Sequence, residues 1–386
     1  MFDEQLQALD RRHILRQLRT VESASGPTID LNGRRVILLA SNNYLGLSTH
    51  PALIQAAISA TQTYGVGAGA SRLISGTMLP HTRLEETLAR FKKTEAALTF
   101  AAGYLANIGV IPSLVGADGL ILADRLCHAS LIDACRLSRA KLRVFRHADA
   151  NHLEDLLKRR RAKQPTLIVT DGVFSMDGDI APLSEIAMLA ERHETLVFVD
   201  DAHGTGVMGS TGRGSLEHCG VEHRIPFHMG TLSKALGCAG GYLAGSASFI
   251  QWLVNTSRAF VYTTAPPPGV AAAAQAALNV VESDPELRAR LWKNREYLFG
   301  GLRRLGFRMA ATVSPIIPLL IGDAERAVVF SQRLLEDGIY APAIRPPTVP
   351  DSTSRIRITV TAAHTTEQLD EALAAIERAG RAMRLV

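Results

Sequence analysis

Short runs of consecutive apolar residues alternate with amphipathic stretches through the middle of the chain. The apolar runs predict strands at 119–123, 142–145, 166–170, 195–199 and 241–244, and apolar positions three or four residues apart predict helices at 51–64, 82–93, 128–138, 151–162 and 183–193. Continuously apolar strands separated by helices are typical of an α/β fold, with helices on both faces of a mostly parallel sheet. Ligands in such folds bind at the carboxyl ends of the strands.

The two flanking regions have other patterns. Residues 2–19 have the spacing of an amphipathic helix that ends in Arg16 and Arg19, and Asn32-Gly33 predicts a hairpin over 31–39. After the sheet, the pattern predicts helices at 271–282, 286–305, 324–337 and 366–383, with strands at 315–321 and 355–360. We therefore expect an N-terminal helix and hairpin segment at 1–50, a large domain at 51–285 and a small C-terminal α+β domain at 286–386.

Composition and charge argue against several classes of protein. The chain has 386 residues, of which 47% are hydrophobic and 20% charged, as in soluble globular proteins. Its formal charge of +5 comes from dispersed Lys and Arg with few aromatics, which suits an anionic small-molecule substrate better than nucleic acid. The four cysteines have no metal-site spacing, and we see neither a signal segment nor a membrane-spanning apolar run. We expect a cytoplasmic protein without a bound metal.

Residues 65–76 form a glycine-rich segment, Gly-Val-Gly-Ala-Gly-Ala-Ser-Arg-Leu-Ile-Ser-Gly. A dinucleotide-binding loop would follow a strand and begin a helix with G-x-G-x-x-G spacing, whereas this segment follows a predicted helix and lacks that spacing. We expect instead a loop that a ligand or a partner subunit approaches closely.

Lys234 follows an apolar run and precedes a group of small residues, in Phe227-His-Met-Gly-Thr-Leu-Ser-Lys-Ala-Leu-Gly-Cys-Ala-Gly-Gly241. A lysine between a strand end and such a loop can lose part of its hydration, which favours Schiff-base chemistry. Taken alone, Lys234 is better explained as a solvated surface lysine. Its assignment therefore depends on the residues at the other strand ends.

Three other predicted strands end in polar residues. The polar residues are Asp200 and His203 in Val199-Asp-Asp-Ala-His-Gly-Thr-Gly206, Ser175 in Asp171-Gly-Val-Phe-Ser-Met-Asp-Gly178, and His128 in Asp124-Arg-Leu-Cys-His-Ala-Ser130. Singly, Asp200 could be a core ion-pair partner, Ser175 a turn residue and His128 a helix-start residue. Together with Lys234 they match what pyridoxal phosphate requires, namely a Schiff-base lysine, a carboxylate for the ring nitrogen, a stacking imidazole and hydroxyls for the phosphate. A non-catalytic binding module would not need this combination.

Several motifs resemble those of the α-oxoamine synthases, a family of fold-type I pyridoxal phosphate enzymes. The matching segments are Ser41-Asn-Asn-Tyr-Leu-Gly-Leu47, Ser71-Arg-Leu-Ile-Ser-Gly76 with His81, Asp200-Asp-Ala-His-Gly-Thr-Gly206, Thr231-Leu-Ser-Lys234 and Ile344-Arg-Pro-Pro-Thr-Val-Pro350. Their order and spacing extend over essentially the whole chain. The resemblance implies an aminotransferase-like transferase, with the cofactor domain at 51–285, that works as a homodimer with shared active sites.

The resemblance also implies the catalytic residues. Lys234 corresponds to the Schiff-base lysine and Asp200 to the partner of the ring nitrogen. His203 corresponds to the residue that bonds the ring hydroxyl, with Ser175 beside it. His128 corresponds to the imidazole that stacks on the ring and contacts the substrate.

Further residues match the cofactor phosphate site and the substrate site of that family. Those matching the phosphate site are Gly103, Tyr104 and Thr231, with Thr263 and Thr264 of Tyr262-Thr-Thr264 reaching the neighbouring subunit's phosphate. Arg345 corresponds to the arginine that holds the amino-acid carboxylate, with Asn42 nearby. Arg19 and Thr348 correspond to contacts of the acyl substrate.

The activity implied is a decarboxylative condensation of L-alanine with pimeloyl-CoA or a pimeloyl carrier protein. It would give 8-amino-7-oxononanoate, CO2 and a free thiol in biotin biosynthesis, with Lys234 taking the α-proton of alanine. The alternative within the family is 2-amino-3-ketobutyrate ligase, which uses glycine and acetyl-CoA; 5-aminolevulinate and sphingoid-base synthases resemble the chain less. The segments Asp201–Gly206 and Ile344–Pro350 favour the oxononanoate branch.

Overall fold

Helices and strands alternate along most of the chain in the computed structural model, which describes residues 2–386. The helices are, in chain order, Phe2–Arg11 (α1), Pro51–Tyr64 (α2), Leu79–Lys92 (α3), Gly103–Leu114 (α4), Ala129–Leu137 (α5), Ala150–Lys158 (α6), Leu183–Arg192 (α7), Ser215–His218 (α8), Ala247–Thr256 (α9), Arg258–Val261 (α10), Pro268–Ser283 (α11), Glu286–Arg304 (α12), Ala324–Glu336 (α13) and Thr366–Ala382 (α14). The strands are Thr28–Leu31 (β1), Arg34–Leu38 (β2), Ala96–Phe100 (β3), Leu120–Asp124 (β4), Lys141–Phe145 (β5), Thr166–Asp171 (β6), Leu196–Asp200 (β7), His228–Thr231 (β8), Gly241–Gly245 (β9), Ile316–Gly322 (β10), Ile339–Tyr340 (β11), Ala343–Ile344 (β12) and Ser354–Thr359 (β13). Within residues 2–386, no helix combines the length and the apolar character needed to cross a membrane.

Contacts divide the described residues into two compact units. The larger unit consists of residues 50–174 and 180–285. The smaller unit consists of residues 2–49, 175–179 and 286–386. The predicted N-terminal segment is thus joined to the C-terminal region, because β2 pairs in parallel with β11 and the Thr359 amide donates to the Leu39 carbonyl at 2.9 Å.

The larger unit is built on a seven-stranded sheet in the order β3-β9-β8-β7-β6-β4-β5. β9 is antiparallel to both of its neighbours, and the other neighbouring strands are parallel. Successive side chains of β7 show why its sequence is continuously apolar. Phe198 packs in the core cluster that includes α4 and α5, whereas Val197 and Val199 pack in the cluster that includes α6 and α7. Both faces of the sheet are therefore buried by helices.

The carboxyl ends of neighbouring strands in this sheet are polar. β4, β6 and β7 end in Asp124, Asp171 and Asp200, and β8 ends in Thr231. All four residues are buried. Because these strands are parallel, the four polar ends lie at one edge of the sheet, where ligands bind in folds of this type.

The smaller unit contains two three-stranded sheets, β1-β2-β11 and β10-β13-β12. The β1–β2 hairpin turns at Asn32 and Gly33, whose φ angles of 51° and 69° are those that the Asn-Gly signal predicts. Residues 175–179 belong to this unit because the Gly178 carbonyl accepts hydrogen bonds from Val313 N at 3.2 Å and Thr312 Oγ1 at 3.1 Å.

One secondary-structure prediction needs correction, and one helix was not predicted. The helix predicted over 2–19 ends at Arg11, and His13 adopts a left-handed φ of 55° that does not continue it. No helix was predicted at α9, although Phe249, Ile250 and Leu253 have helical spacing and the Ser246 hydroxyl caps the helix by accepting from Phe249 N at 3.2 Å. A serine followed by that spacing is a recognisable start signal.

Candidate active site

Asp200, at the end of β7, is held by a residue of α4. Its Oδ2 accepts a hydrogen bond from Asn107 Nδ2 at 2.7 Å, and its Oδ1 accepts from Ala202 N at 3.0 Å. The residue is only 5% exposed. A buried carboxylate needs such donors to replace its lost hydration, and these two bonds hold Asp200 in one orientation.

His128 is connected to Asp200 through two side chains. The same Asn107 Nδ2 donates to Ser130 Oγ at 2.8 Å, and Ser130 Oγ lies 2.7 Å from His128 Nδ1. The backbone N–H of His128 donates to Asp171 Oδ2 at 2.9 Å. The predicted pair His128 and Asp200 is therefore part of one hydrogen-bonded network that also contains Asn107, Ser130 and Asp171.

The charges of this network act on one another. Burial lowers the pKa of His128, Asp200 acts to raise it, and Lys234 lowers it further. Burial and the nearby Asp200 carboxylate raise the pKa of Asp171 well above its usual value, against the opposing effects of the His128 N–H and Lys234. The Lys234 ammonium thus lies in the electrostatic field of both groups, and His128 is held in its neutral form at neutral pH.

Lys234 lies in a tight turn after β8. The turn is closed by hydrogen bonds from Gly237 N to the Lys234 carbonyl at 2.9 Å and from Cys238 N to the Leu232 carbonyl at 2.8 Å. Gly237 has a φ of 66°, a conformation that glycine adopts without strain. The side chain of Lys234 is half-buried, which agrees with the expectation of a recessed lysine at a strand end.

The N-terminus of α4 approaches Thr231 and the start of β9. A Cβ atom on Gly241 would lie 2.6 Å from the Cα of Gly103, the first residue of the helix, so only glycine permits this contact. Thr231 Oγ1 donates to the Gly240 carbonyl and lies 2.7 Å from Ser233 Oγ. A helix N-terminus beside two hydroxyls is a suitable phosphate site.

Tyr104 and His203 occupy different surroundings. Tyr104 is about half exposed, and its hydroxyl donates to Asp133 Oδ2 at 2.6 Å. His203 is buried in the turn that follows Asp200. In that turn, Gly204 N and Thr205 N donate to the Asp201 carbonyl at 3.1 and 3.0 Å.

The glycine-rich segment 65–76 and the segment around Thr263 and Thr264 are neighbours. Ser71 and Thr264 form an antiparallel bridge, and Ala265 N donates to the Ala70 carbonyl at 3.0 Å. The same region has exposed apolar side chains, which are Val66, Leu73, Ile74 and Tyr262.

In the smaller unit, Asn42 is contacted by Arg357, a residue not predicted from the sequence. Arg357 Nη1 and Nη2 both lie 3.1 Å from Asn42 Oδ1, and Nη2 also donates to the Tyr44 hydroxyl at 3.1 Å. Its Nε donates to the carbonyl of Ser175. The available signal was Arg355-Ile-Arg357, which places two arginines on one face of a buried strand. Buried arginines require partners.

Arg345, the predicted carboxylate partner, contacts the N-terminal segment. It donates to the carbonyls of His13 and Leu15, and burial together with the nearby Arg16 lowers its pKa. Arg16 Nη2 donates to Thr348 Oγ1 at 2.8 Å. A cavity of about 300 Å³ in the smaller unit is lined by Arg19, Arg345, Asp10, His13, Leu15, Gln17, Val328, Ser331, Gln332, Leu335, Tyr340, Pro342 and Ala343.

Comparison with known proteins identifies the family. The profile of the family "Aminotransferase class I and II" matches residues 34–376. The chain is 50% identical to 8-amino-7-oxononanoate synthase of Geobacter sulfurreducens over 385 residues, covering 99% of this chain and 98% of that protein. It is 48% identical to the enzyme of the same name from Symbiobacterium thermophilum, with the same coverage of both chains. The chain belongs to the 8-amino-7-oxononanoate synthase family.

Solved structures agree with this family and its fold. Serine palmitoyltransferase of S. paucimobilis, with pyridoxal phosphate and myriocin bound, has a TM-score of 0.96 and 34% identity, covering 100% of this chain and 98% of that one. 8-Amino-7-oxononanoate synthase of Francisella tularensis has a TM-score of 0.77 and 28% identity, covering 90% and 98%. The predicted α-oxoamine synthase family and fold-type I architecture are confirmed. The cofactor of the 8-amino-7-oxononanoate synthase family is pyridoxal 5′-phosphate, as predicted.

The larger unit has the groups that this cofactor requires. A fixed carboxylate (Asp200) suits a protonated ring nitrogen, a neutral imidazole (His128) suits the face of the ring, and an ammonium (Lys234) lies in the field of the same network. The helix N-terminus at Gly103, with the hydroxyl of Thr231, suits a phosphate. The donor set in this member of the 8-amino-7-oxononanoate synthase family therefore fits pyridoxal phosphate.

Proposed function

We propose that the protein condenses L-alanine with a pimeloyl thioester, on CoA or on a carrier protein, to form 8-amino-7-oxononanoate in biotin biosynthesis. CO2 and a free thiol are the other products. The observation that supports the chemistry is the buried network of Asp200, Asn107, Ser130 and His128 with Lys234 in its field. The identities of 48% and 50% to named 8-amino-7-oxononanoate synthases support the choice of substrates.

Each residue of the larger unit has a proposed task. When bound, pyridoxal phosphate supplies a conjugated ring that stabilises negative charge at the substrate's α-carbon. Lys234 holds the cofactor through Nζ and, once released, removes the α-proton of alanine. Asp200 keeps the ring nitrogen protonated, because an ionised carboxylate favours a neighbouring cation. His128, neutral at working pH, stacks against the ring.

The cofactor phosphate and the ring hydroxyl need separate partners. Backbone N–H groups at the start of α4, at Gly103 and Tyr104, bind the phosphate together with the hydroxyl of Thr231. His203 donates to the ring hydroxyl. Ser175 was predicted beside His203, and within the smaller unit its carbonyl accepts a hydrogen bond from Arg357.

We assign the amino-acid carboxylate to Arg357 in preference to Arg345. A guanidinium binds a carboxylate through two parallel hydrogen bonds, and Arg357 already lies beside Asn42, the other predicted carboxylate contact. Arg345 and Arg19 both line the cavity of about 300 Å³ in the smaller unit. Two cations in one cavity suit an acyl chain that ends in a second carboxylate, with Thr348 nearby through its contact with Arg16.

A homodimer with shared sites is part of the proposal. Apolar side chains exposed to solvent on one patch, including Val66, Ile74 and Tyr262, favour a protein interface. Thr263 and Thr264 adjoin that patch and, in the dimer, would contact the partner subunit's phosphate site. The free cysteines, at Cys127, Cys135, Cys219 and Cys238, favour a cytoplasmic location, since thiols persist in a reducing compartment.

Substrate choice is tested by measuring thiol release from every combination of three amino acids and three thioesters. The amino acids are L-alanine, glycine and L-serine, and the thioesters are pimeloyl-CoA, acetyl-CoA and palmitoyl-CoA. We expect L-alanine with pimeloyl-CoA to give the highest kcat/KM. Glycine lacks one methyl group, which is worth only about 1–3 kcal/mol in a pocket, so it should show residual turnover. A preference for glycine with acetyl-CoA would refute the assignment in favour of 2-amino-3-ketobutyrate ligase, and a preference for L-serine with palmitoyl-CoA would refute it in favour of the serine palmitoyltransferase activity.

A further inference from the structure

A second cluster of buried polar side chains lies next to Asp200 in the sequence but on the other side of the sheet. Successive side chains in extended backbone point to opposite faces, so Asp201 faces α8 whereas Asp200 faces α4. Asp201 Oδ1 and Oδ2 accept from Ser215 N at 3.0 and 3.1 Å, and Asp201 N donates to the Met229 carbonyl at 3.1 Å. The proposed activity assigns no task to this second carboxylate.

Lys92, the last residue of α3, is the cation that pairs with Asp201. Its Nζ lies 3.7 Å from Asp201 Oδ2, and the two side chains are 3% and 2% exposed. The same Nζ donates to Thr205 Oγ1 at 3.1 Å and to the carbonyl of Arg213. Thr205 Oγ1 lies 2.8 Å from the Tyr242 hydroxyl. The ammonium therefore joins α3 to residues 201–205 and to Arg213, and Thr205 extends these contacts to Tyr242 of β9.

Three glycines enclose the Asp201 carboxylate. A Cβ atom would lie 3.0 Å from Oδ1 at Gly172, 2.0 Å from Oδ1 at Gly204 and 1.7 Å from Oδ2 at Gly214. Such distances are shorter than any van der Waals contact, so the backbone can surround the carboxylate only where these positions lack side chains. A carboxylate enclosed in this way, with one buried cation, is a built structural site.

The ion pair balances the charge of the Asp201 carboxylate. Burial alone would lower the pKa of Lys92, but the nearby Tyr242 and Asp201 raise it above its usual value. Lys92 is therefore charged beside Asp201, and it lowers the pKa of that carboxyl against the larger effect of burial, which raises it. Without Lys92, Asp201 would be a buried carboxylate lacking a counter-charge, adjacent in the chain to Asp200, and unpaired buried charges are strongly unfavourable.

We propose that Lys92 and Asp201 are positioning residues for Asp200 and His203. Their ion pair holds residues 201–205 in one conformation and removes a competing negative charge from the neighbourhood of Asp200. This inference rests on the proposed function in one respect, namely that Asp200 pairs with the cofactor ring nitrogen. In this proposal, Lys92 and Asp201 contact neither cofactor nor substrate and act through the turn at residues 201–205.

The test compares Lys92→Met, Asp201→Asn and the double variant with the parent holoenzyme. Cofactor dissociation, visible circular dichroism of the bound cofactor, kcat and KM for L-alanine are measured, together with the unfolding temperature of the cofactor-free protein. We expect Lys92→Met to weaken cofactor binding about tenfold and to lower kcat with little change in KM for L-alanine. The dichroism should fall as well, because Asp200 is no longer held in one orientation. The double variant should recover part of each loss, since it leaves no unpaired charge.

Arg90→Met is the matched control, because it removes a cation of the same helix whose pair with Glu282 at 3.4 Å is exposed. It should behave as the parent does.

A Lys92→Met protein with the parent's dichroism, cofactor affinity and kcat, but a lower unfolding temperature, would contradict the proposal, because the ion pair would then only stabilise the fold. Should Lys92→Met not fold, Thr205→Val removes a hydrogen bond to Lys92 without changing charge, and parent values of dichroism and kcat in that variant would refute the proposal. The parent's own cofactor absorbance and condensation activity test the proposed function separately.

Discussion

Asn107 Nδ2 lies 2.7 Å from Oδ2 of Asp200 and 2.8 Å from Oγ of Ser130, so one amide group orients both the carboxylate and the residue that contacts His128. We predict that Asn107→Ala weakens cofactor binding by about 1.5–3 kcal/mol, the usual value of a hydrogen bond to a charged group. Cofactor dissociation followed by absorbance measures the effect. Ser113→Ala, on the same helix, removes only a hydrogen bond to the Gly109 carbonyl and should have no effect. An unchanged cofactor affinity in Asn107→Ala would mean that Asp200 does not contact the cofactor.

Lys234→Ala should remove the covalent bond between protein and cofactor. The visible absorbance of lysine-bound cofactor should disappear and turnover should fall to background, because no other residue of the network is an amine. Borohydride reduction of the parent, followed by peptide mapping, identifies the modified residue. Lys141→Ala, which changes an exposed lysine of β5, should keep the absorbance. A reduced adduct on any lysine other than Lys234 would overturn the assignment.

Arg357 and Arg345 can be distinguished by their substrates. Arg357→Lys should raise KM for L-alanine at least about tenfold, because the two parallel hydrogen bonds to the carboxylate are lost. Arg345→Lys should instead raise KM for pimeloyl-CoA, since Arg345 lines the cavity that contains Arg19. Steady-state kinetics with each substrate varied in turn measures both. The reverse pattern would restore the original prediction that Arg345 holds the amino-acid carboxylate.

Shared active sites predict complementation between two inactive variants. Lys234→Ala and a Thr263→Ala/Thr264→Ala double variant should each have little activity. Mixed dimers should regain some of it, because one site in each would combine an intact lysine with intact threonines. Activity after subunit exchange is the measurement, with exchange confirmed by a size-tagged subunit. Complete exchange without recovery, or a monomer in light scattering, would contradict the proposed dimer.

The stability of the protein should fall in mild acid, partly through His228. Burial lowers the pKa of this residue from 6.5 to about 4 in the folded protein. Protonation of His228 therefore favours the unfolded state. The stabilising contribution of its neutral imidazole is complete above pH 6.5 and decreases as the pH falls from 6.5 to 4. The expected loss is roughly 3 kcal/mol over that interval. Urea unfolding at several pH values measures it.

His228→Asn should flatten that pH dependence, because the titrating group is removed. His223→Gln changes an exposed histidine five residues away and should leave the pH dependence unchanged. A pH dependence in His228→Asn as steep as that of the parent would assign the loss to other groups, among which His364 has a pKa that burial also lowers to about 4.

The order of strands and helices and the polar strand ends were determined by the sequence itself. Both follow from local features, because side-chain periodicity and the position of a polar residue after an apolar run involve residues adjacent in the chain. Asp200 and Lys234 could therefore be identified as candidates, and the shared motifs led to the correct family. The end of α1 at Arg11 could not be predicted in this way, because the amphipathic spacing continues beyond Arg11 while the backbone at His13 turns away.

Only the tertiary structure decided which side chains meet. Arg357 and Asn42 are 315 positions apart, and Asn107 and Asp200 are 93 apart. Neither pair has a periodic or motif signal that could connect its members. The same holds for Lys92 and Asp201, whose contact depends on α3 ending beside the turn after β7. Local sequence specifies which residue types follow a strand, whereas long-range packing determines the partners of those residues and hence their charge and orientation.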